Sequence, residues 1–150
     1  MPDAPSLKTT RLLLRPFQLS DAPAVQRLAG AKEVAAGTFL PHPYQNGMAE
    51  QWIADQTRAH EGGTAVSFAI TLAGDATFIG SISLDIVQTH RHARLGYWLG
   101  FPYWNQGYGT EAVRAVLHYG FMQREHYVRF DRLVDLELYG MLQRDFMERT

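Results

Sequence analysis

The chain has no cysteine, only two lysines (Lys8 and Lys32), no apolar run of membrane-spanning length and almost no net charge. Without cysteine there is no disulfide framework, no thiol nucleophile and no cysteine-zinc site. Without a lysine beside a glycine-rich turn there is no Walker A loop, whose Gly-x-x-x-x-Gly-Lys-Ser/Thr pattern requires one. A formal net charge of −1 gives no global electrostatic case for nucleic acid or for an anionic membrane. The opening residues Met1-Pro-Asp-Ala-Pro carry no basic then apolar leader, so the cytoplasm is the expected compartment.

What is present suits one α/β (α+β) domain over residues 1–150, with 46% hydrophobic residues to build its core. Leu12 to Phe17 reads as a first strand. Ser20-Asp21 offers an N-cap to an apolar-periodic segment holding Val25 and Leu28. The Pro41-His42-Pro43-Tyr44 passage cannot be regular helix, because each proline restrains its own φ and its predecessor. Asn46 to Glu61 reads as a helix with Trp52 on its buried face. Val66–Leu72, Phe78–Val87 and Ala93–Leu99 are rich in β-branched and aromatic residues and read as an antiparallel meander. Within the last run Tyr97 and Trp98 alternate, which sends one to the core and the other to a cleft or solvent. Val113, Val116, Leu117, Gly120 and Phe121 form one helical stripe, and the segment from Leu133 to Tyr139 suits a closing strand.

The most informative stretch runs from Leu95 to Ala112, where a strand-like run meets a helix through a loop carrying Gly107 and Gly109. Glycine lets the main chain approach an anion, and a helix starting at about Thr110 aims unpaired N–H groups and a positive dipole end at it. The pattern implies a phosphorylated cofactor. Gly107-Tyr-Gly-Thr-Glu-Ala112 also fits the dinucleotide pattern Gly-x-Gly-x-x-Gly/Ala, with Asp131 at roughly the ribose-binding distance. A nucleotide-binding oxidoreductase therefore stays open, although that fold needs several more β-α units than the remaining residues supply.

Several separated blocks carry a resemblance. Thr10-Arg-Leu-Leu-Leu-Arg-Pro-Phe17, Ser20-Asp21-Ala22, Pro43-Tyr44, Trp52-Ile53, the Gly96 to Ala112 block and Arg129 to Leu142 together resemble the GNAT N-acetyltransferases. The likeness is to the branch containing the RimJ and RimL ribosomal-protein N-terminal acetyltransferases. The resemblance implies a mixed, mostly antiparallel central sheet flanked by helices. It implies that Gln106, Gly107, Tyr108, Gly109 and Thr110 wrap the pyrophosphate of acetyl-CoA through main-chain amides, as backbone nests do, with Trp98, Leu99 and Gly100 also at the cofactor. Amides near Leu99 would polarise the thioester carbonyl, and Tyr44 would line the acceptor pocket. The implied reaction is direct attack by a neutral primary amine, of a protein N-terminus or a small molecule, on the acetyl thioester, without an acyl-enzyme.

The chain also departs from that family. Trp104 stands where the consensus loop begins with Gln or Arg, and Arg94 stands where a carboxylate often serves as base or amine anchor. Asp85 and His92 are the remaining candidate bases, an imidazole having a suitable pKa. Against this, His90 and His92 sit in a polar turn, and Asp85 fits an outward-facing strand residue. The i, i+2 histidines have no third ligand, so no metal is expected. After Gln123 the chain runs almost straight to its closing strand, apparently lacking one strand-helix unit of the family. Exposed sheet edges would then favour a homodimer. A catalytically inactive GNAT-like module, binding CoA or a partner, is the competing function.

Overall fold

The computed structural model describes residues 6–31, 33–34, 45–62, 65–87, 92–122 and 135–139. In chain order they form β1 (Leu7–Lys8), β2 (Leu12–Arg15), α1 (Ala22–Ala29), α2 (Met48–Glu61), β3 (Ala65–Leu72), β4 (Phe78–Val87), β5 (His92–Leu99), α3 (Tyr108–Met122) and β6 (Asp135–Tyr139). The strands make one six-stranded sheet in sequence order. Strands β1 to β5 pair antiparallel, and β6 pairs parallel with β5. The expected mixed, mostly antiparallel sheet with helices is what forms, and the three-strand meander is its centre.

Helices cover both faces of that centre. On one face Ala112, Val113, Val116 and Tyr119 of α3 pack against Leu12, Leu14, Phe68, Ile70, Leu84 and Leu95. The Tyr119 ring meets Phe68 edge-on, with centroids 5.8 Å apart. On the other face Val25 and Leu28 of α1 and Ile53 of α2 pack against Ala69, Phe78 and Trp98. Burial on two sides explains why β3 reads as a nearly continuous apolar run instead of an alternation. It also corrects the expectation for Tyr97 and Trp98. They do point to opposite faces, but both are buried, at 7% and 6% exposure. A valine, leucine, isoleucine or phenylalanine side chain fully buried in either core is worth about 1.5–3 kcal/mol.

Two local expectations change. Asp21 does not cap α1 with its side chain. Its buried carboxylate instead accepts from the Gln18 amide at 2.8 Å and from the Arg15 guanidinium at 2.7 and 2.9 Å, closing the turn that precedes the helix. Helix α2 begins at Met48 and not at Asn46, because Gly47 at φ +88° turns the chain into it.

The closing strand read near the end of the chain is β6, and it lies beside β5 in the register His92↔Asp135 to Gly96↔Tyr139. Parallel neighbours need a crossover, and α3 occurs between them in sequence. The described ladder ends at Gly96, so the last residues of β5, Tyr97 to Leu99, run on beyond it toward the glycine loop. This topology removes the oxidoreductase alternative. A dinucleotide fold places its glycine turn after the first strand of a parallel sheet, whereas here the turn follows the fifth strand of a mostly antiparallel one. Asp131, its candidate ribose ligand, lies outside the described residues. Among the described residues, no helix is long and apolar enough to cross a membrane.

Candidate functional site

The site begins where β5 ends. The Gly100 amide donates to the Ile79 carbonyl at 2.8 Å, and its carbonyl accepts from the Tyr103 amide at 2.9 Å, starting a short turn over Phe101–Tyr103. Trp104, placed where the family has Gln or Arg, folds back so that its Nε1 donates to the Leu99 carbonyl at 2.8 Å. Its ring meets Phe101 at 5.0 Å. The Gln106 side chain donates to the Pro102 carbonyl at 3.0 Å. The segment is thus tied internally before it reaches the helix.

Gly107 has φ +83°, a value that carries the chain directly into α3 at Tyr108. The helix therefore starts two residues earlier than Thr110, where the sequence placed it, and Gly109 and Thr110 lie inside its first turn. Glu111 is the first residue whose amide finds a helical acceptor, the Gly107 carbonyl at 3.1 Å. By helix geometry the amides of Gly107, Tyr108, Gly109 and Thr110 have no intrahelical acceptor and converge at the positive end of the dipole. The Thr110 hydroxyl is buried there without a hydrogen-bond partner among the described residues.

A clamp from the other end of the chain holds this turn. The Glu111 carboxylate accepts from the Arg11 Nε at 2.7 Å, from the Arg11 amide at 2.9 Å and from the Thr9 hydroxyl. The same guanidinium donates through Nη1 to the Gln106 carbonyl at 2.8 Å and lies 4.4 Å from the centre of the Tyr108 ring. Burial, the largest single influence on Glu111, pushes its carboxyl up, but the bonds from Thr9 and Arg11 and the Arg11 charge together hold it below its ordinary value. Arg11 is therefore a fork that fixes both the first turn of α3 and the loop before it. The sequence showed Thr10-Arg11 only as part of a resemblance. Glu111 in a first helical turn was the available signal, but its partners are about a hundred residues away.

The expected site residues divide into two groups. Trp98, Leu99, Gly100 and Gln106 to Thr110 form one continuous path, although the Trp98 ring packs against Phe78, 6.0 Å between centroids, on the face away from α3. Its indole Nε1 is buried and, among the described residues, unpartnered. Asp85 is exposed and stands opposite Arg94 in the β4–β5 register, and His92 stands opposite Val87. With Leu99 opposite Gly80, His92 lies about 23 Å along β5 from the loop end of the strand. Tyr44 and His90 lie outside the described residues. Among the described residues, no group of three His, Cys, Asp or Glu is placed to hold a metal.

Comparison with known proteins bears on this geometry. The family model "Acetyltransferase (GNAT) domain" matches residues 11–135. The chain is 27% identical over 118 residues to the uncharacterized N-acetyltransferase YoaA of Bacillus subtilis strain 168, covering 78% of this chain and 67% of that one. It thus spans about two thirds of the length of the curated relatives it matches. Its fold is similar to the acetyltransferase (GNAT family) of Bacillus anthracis, with TM-score 0.69 and 23% identity over 81% of this chain and 69% of that one. It is also similar to RimL, a ribosomal L7/L12 α-N-protein acetyltransferase solved with coenzyme A, with TM-score 0.70 and 20% identity over 82% and 71% of the two chains.

Proposed function

From its membership of the acetyltransferase (GNAT) domain family, to which this chain belongs, we propose that it transfers the acetyl group of acetyl-CoA to a primary amine, either a protein N-terminus or a small molecule. The observation that carries this reading is the first turn of α3: converging amides at Gly107 to Thr110, a buried Thr110 hydroxyl unpartnered among the described residues, and a clamp that holds them in place. A pyrophosphate fits such a donor set, because backbone N–H groups and a helix dipole stabilise it without a lysine. RimL, solved with coenzyme A, supports the same cosubstrate.

In this reading Gln106, Gly107, Tyr108, Gly109 and Thr110 hold the pyrophosphate. Trp98, Leu99 and Gly100 form the strand end along which the pantetheine arm leaves it. That direction carries the thioester along β5 toward Asp85 and His92, which we assign as the candidate bases. The amine loses its ammonium proton to such a base and its nitrogen forms a bond to the carbonyl carbon. The carbon–sulfur bond then breaks, and the departing thiolate takes up a proton. Tyr44 is assigned to the acceptor pocket, the cytoplasm is the proposed compartment, and a homodimer is the proposed assembly.

One observation favours a second reading, a module that binds CoA without turnover: Arg94 replaces a carboxylate that serves related proteins and sits opposite Asp85. Two measurements separate the readings. Calorimetric titration of the intact chain with acetyl-CoA is expected to give micromolar binding, and release of free thiol is expected with at least one class of amine. Binding without thiol release from N-terminal peptides, polyamines or amino acids would select the second reading. Absence of acetyl-CoA binding would reject both.

A further inference from the structure

The two polar main-chain groups of Leu99 face the edge of β5 along which the pantetheine arm is proposed to run. The Gly100 amide bonds across to the Ile79 carbonyl at 2.8 Å, continuing the register Ser81↔Trp98 and Gly80↔Leu99. In an antiparallel ladder, facing residues alternate between pairs that exchange both main-chain bonds and pairs that exchange neither. The Ile79–Gly100 pair is of the first kind, so Gly80–Leu99 is of the second. The Leu99 N–H and C=O therefore turn away from β4, toward the edge that the described β6 ladder covers only as far as Gly96. That direction is firmly held, because β4 approaches so closely here that a Cβ on Gly80 would collide with the Trp98 carbonyl. Of the two Leu99 groups the carbonyl is taken, since the Trp104 Nε1–H donates to it at 2.8 Å. The indole is itself fixed, half-buried and edge-on to Phe101 at 5.0 Å. Among the described residues this leaves the Leu99 N–H as the open member of the pair.

We propose that Trp104 is a positioning residue that sets the register of the pantetheine arm on β5, and so the point along the strand at which the thioester stops. The inference rests on the acetyl-CoA reading above. The arm carries two amides, each with a donor and an acceptor, and a strand edge offers the same groups in alternation. Such a pairing slips between registers where nothing pins it. An indole has a donor and no acceptor, so Trp104 can only occupy the carbonyl. An arm N–H placed opposite Leu99 has to share that oxygen, whereas an arm C=O placed there meets an unshared N–H. One register is thereby favoured over its neighbour. The same indole stands at the head of the segment that leads into the Gly107 turn. It thus ties the pyrophosphate end of the ligand to the strand end. A fixed stopping point serves the chemistry, because attack by the amine needs the carbonyl carbon held about 3–3.5 Å away and aligned.

The test is infrared spectroscopy of acetyl-CoA, isotope-labelled at its thioester carbonyl carbon, bound to the full chain as wild type, Trp104→Phe and Trp104→Gln. Circular dichroism checks that each variant folds, and calorimetry measures affinity. The wild type is expected to give one narrow carbonyl band. Trp104→Phe keeps a ring but loses the donor, so the band should broaden or split while acetyl-CoA affinity stays within about threefold. Trp104→Gln loses the ring but keeps an N–H donor, and should restore the single band. A split band in the wild type, or the wild-type band unchanged in Trp104→Phe, would overturn the proposal. So would a loss of affinity and thermal stability in both variants with no splitting, which is what a merely structural Trp104 gives. A measurement on the wild type alone covers the case of variants that do not fold. The Trp104 indole N–H should stay protected from hydrogen exchange when acetyl-CoA is bound, and its release would show that the arm displaces the indole, overturning the proposal. All of these outcomes leave the acetyl-CoA reading standing, whereas a wild type that binds no acetyl-CoA overturns that reading and the register together.

Discussion

Helices α2 and α3 start in the same way and end up as different kinds of surface. Each follows a glycine at positive φ, Gly47 at +88° and Gly107 at +83°, and each has a glutamate in its first turn, Glu50 and Glu111. At α2 the glycine is exposed with nothing among the described residues within 4 Å of where a Cβ would stand, and Glu50 is exposed. At α3 the glutamate is mostly buried, bonded by Thr9 and twice by Arg11, and the next residue toward the helix start has a buried hydroxyl that is unpartnered among the described residues. A glycine followed by a helix is thus a way of turning the chain. What makes one such start a binding site is the fixation of its amides by groups from elsewhere in the fold.

The largest expected difference between the two starts is in ligand binding. Gly107→Glu places a carboxylate and a strained backbone at the anion site, and acetyl-CoA affinity is expected to fall about a hundredfold or more. Gly47→Glu carries the same change of charge and the same positive-φ strain, about 1–2 kcal/mol of stability at either position. It should leave affinity unchanged. Thermal unfolding and calorimetry on the two variants check this pair, and comparable losses of affinity in both would show that the two helix starts do not differ functionally.

Next in size is the clamp. Arg11→Ala removes the bonds to Glu111 and the Gln106 carbonyl together, leaving a mostly buried carboxylate short of donors. Stability is expected to fall by about 1–2 kcal/mol. The KM for acetyl-CoA should rise about tenfold while kcat changes little, because the loop is misplaced and the acetyl end is not touched. Arg11→Lys keeps the charge but cannot reach both acceptors as a fork, so it should recover part of the stability and less of the KM. A parallel Glu50→Ala variant is expected to leave the KM where it was. Hydrogen exchange offers a ligand-free check: Arg11→Ala should speed exchange at Glu111, whose amide makes the first helical bond of α3, and leave its counterpart Gln51 in α2 unchanged.

The sequence made the frame legible and left the clamp hidden. Strands β3, β4 and β5 were readable because β-branched and aromatic runs were separated by turn residues, and α3 was readable from Val113 and Val116 at helical spacing. The glycine loop was visible because its chemistry is local: Gly107, Gly109 and the helix start are neighbours in the chain. Thr9, Arg11 and Glu111 were not visible as a unit, since no local pattern announces a bond across about a hundred residues. The burial of both Tyr97 and Trp98 was missed for a related reason. Strand alternation shows that two residues face opposite ways, but only tertiary packing decides that each face is covered by a helix.

The smallest expected effect isolates the charge in the clamp from its shape. Glu111 is held below the usual carboxylate value once the donors from Thr9 and Arg11 outweigh its burial. A carboxyl whose folded value is depressed contributes stability that is fully present above the unfolded value, about 4.3, and is lost as pH falls through the folded one. Glu111→Gln keeps the side-chain length and removes that titration. The wild type should therefore be the more stable protein at neutral pH by a fraction of a kcal/mol to about 1 kcal/mol, as for a partly exposed ion pair. The gap should hold down to about pH 5 and close below about pH 4. Urea titrations of both proteins across that range measure it. A gap that stayed constant into acid would mean that the Glu111 side chain acts by packing and neutral hydrogen bonds, and that the difference between the α3 start and the α2 start is steric and not electrostatic.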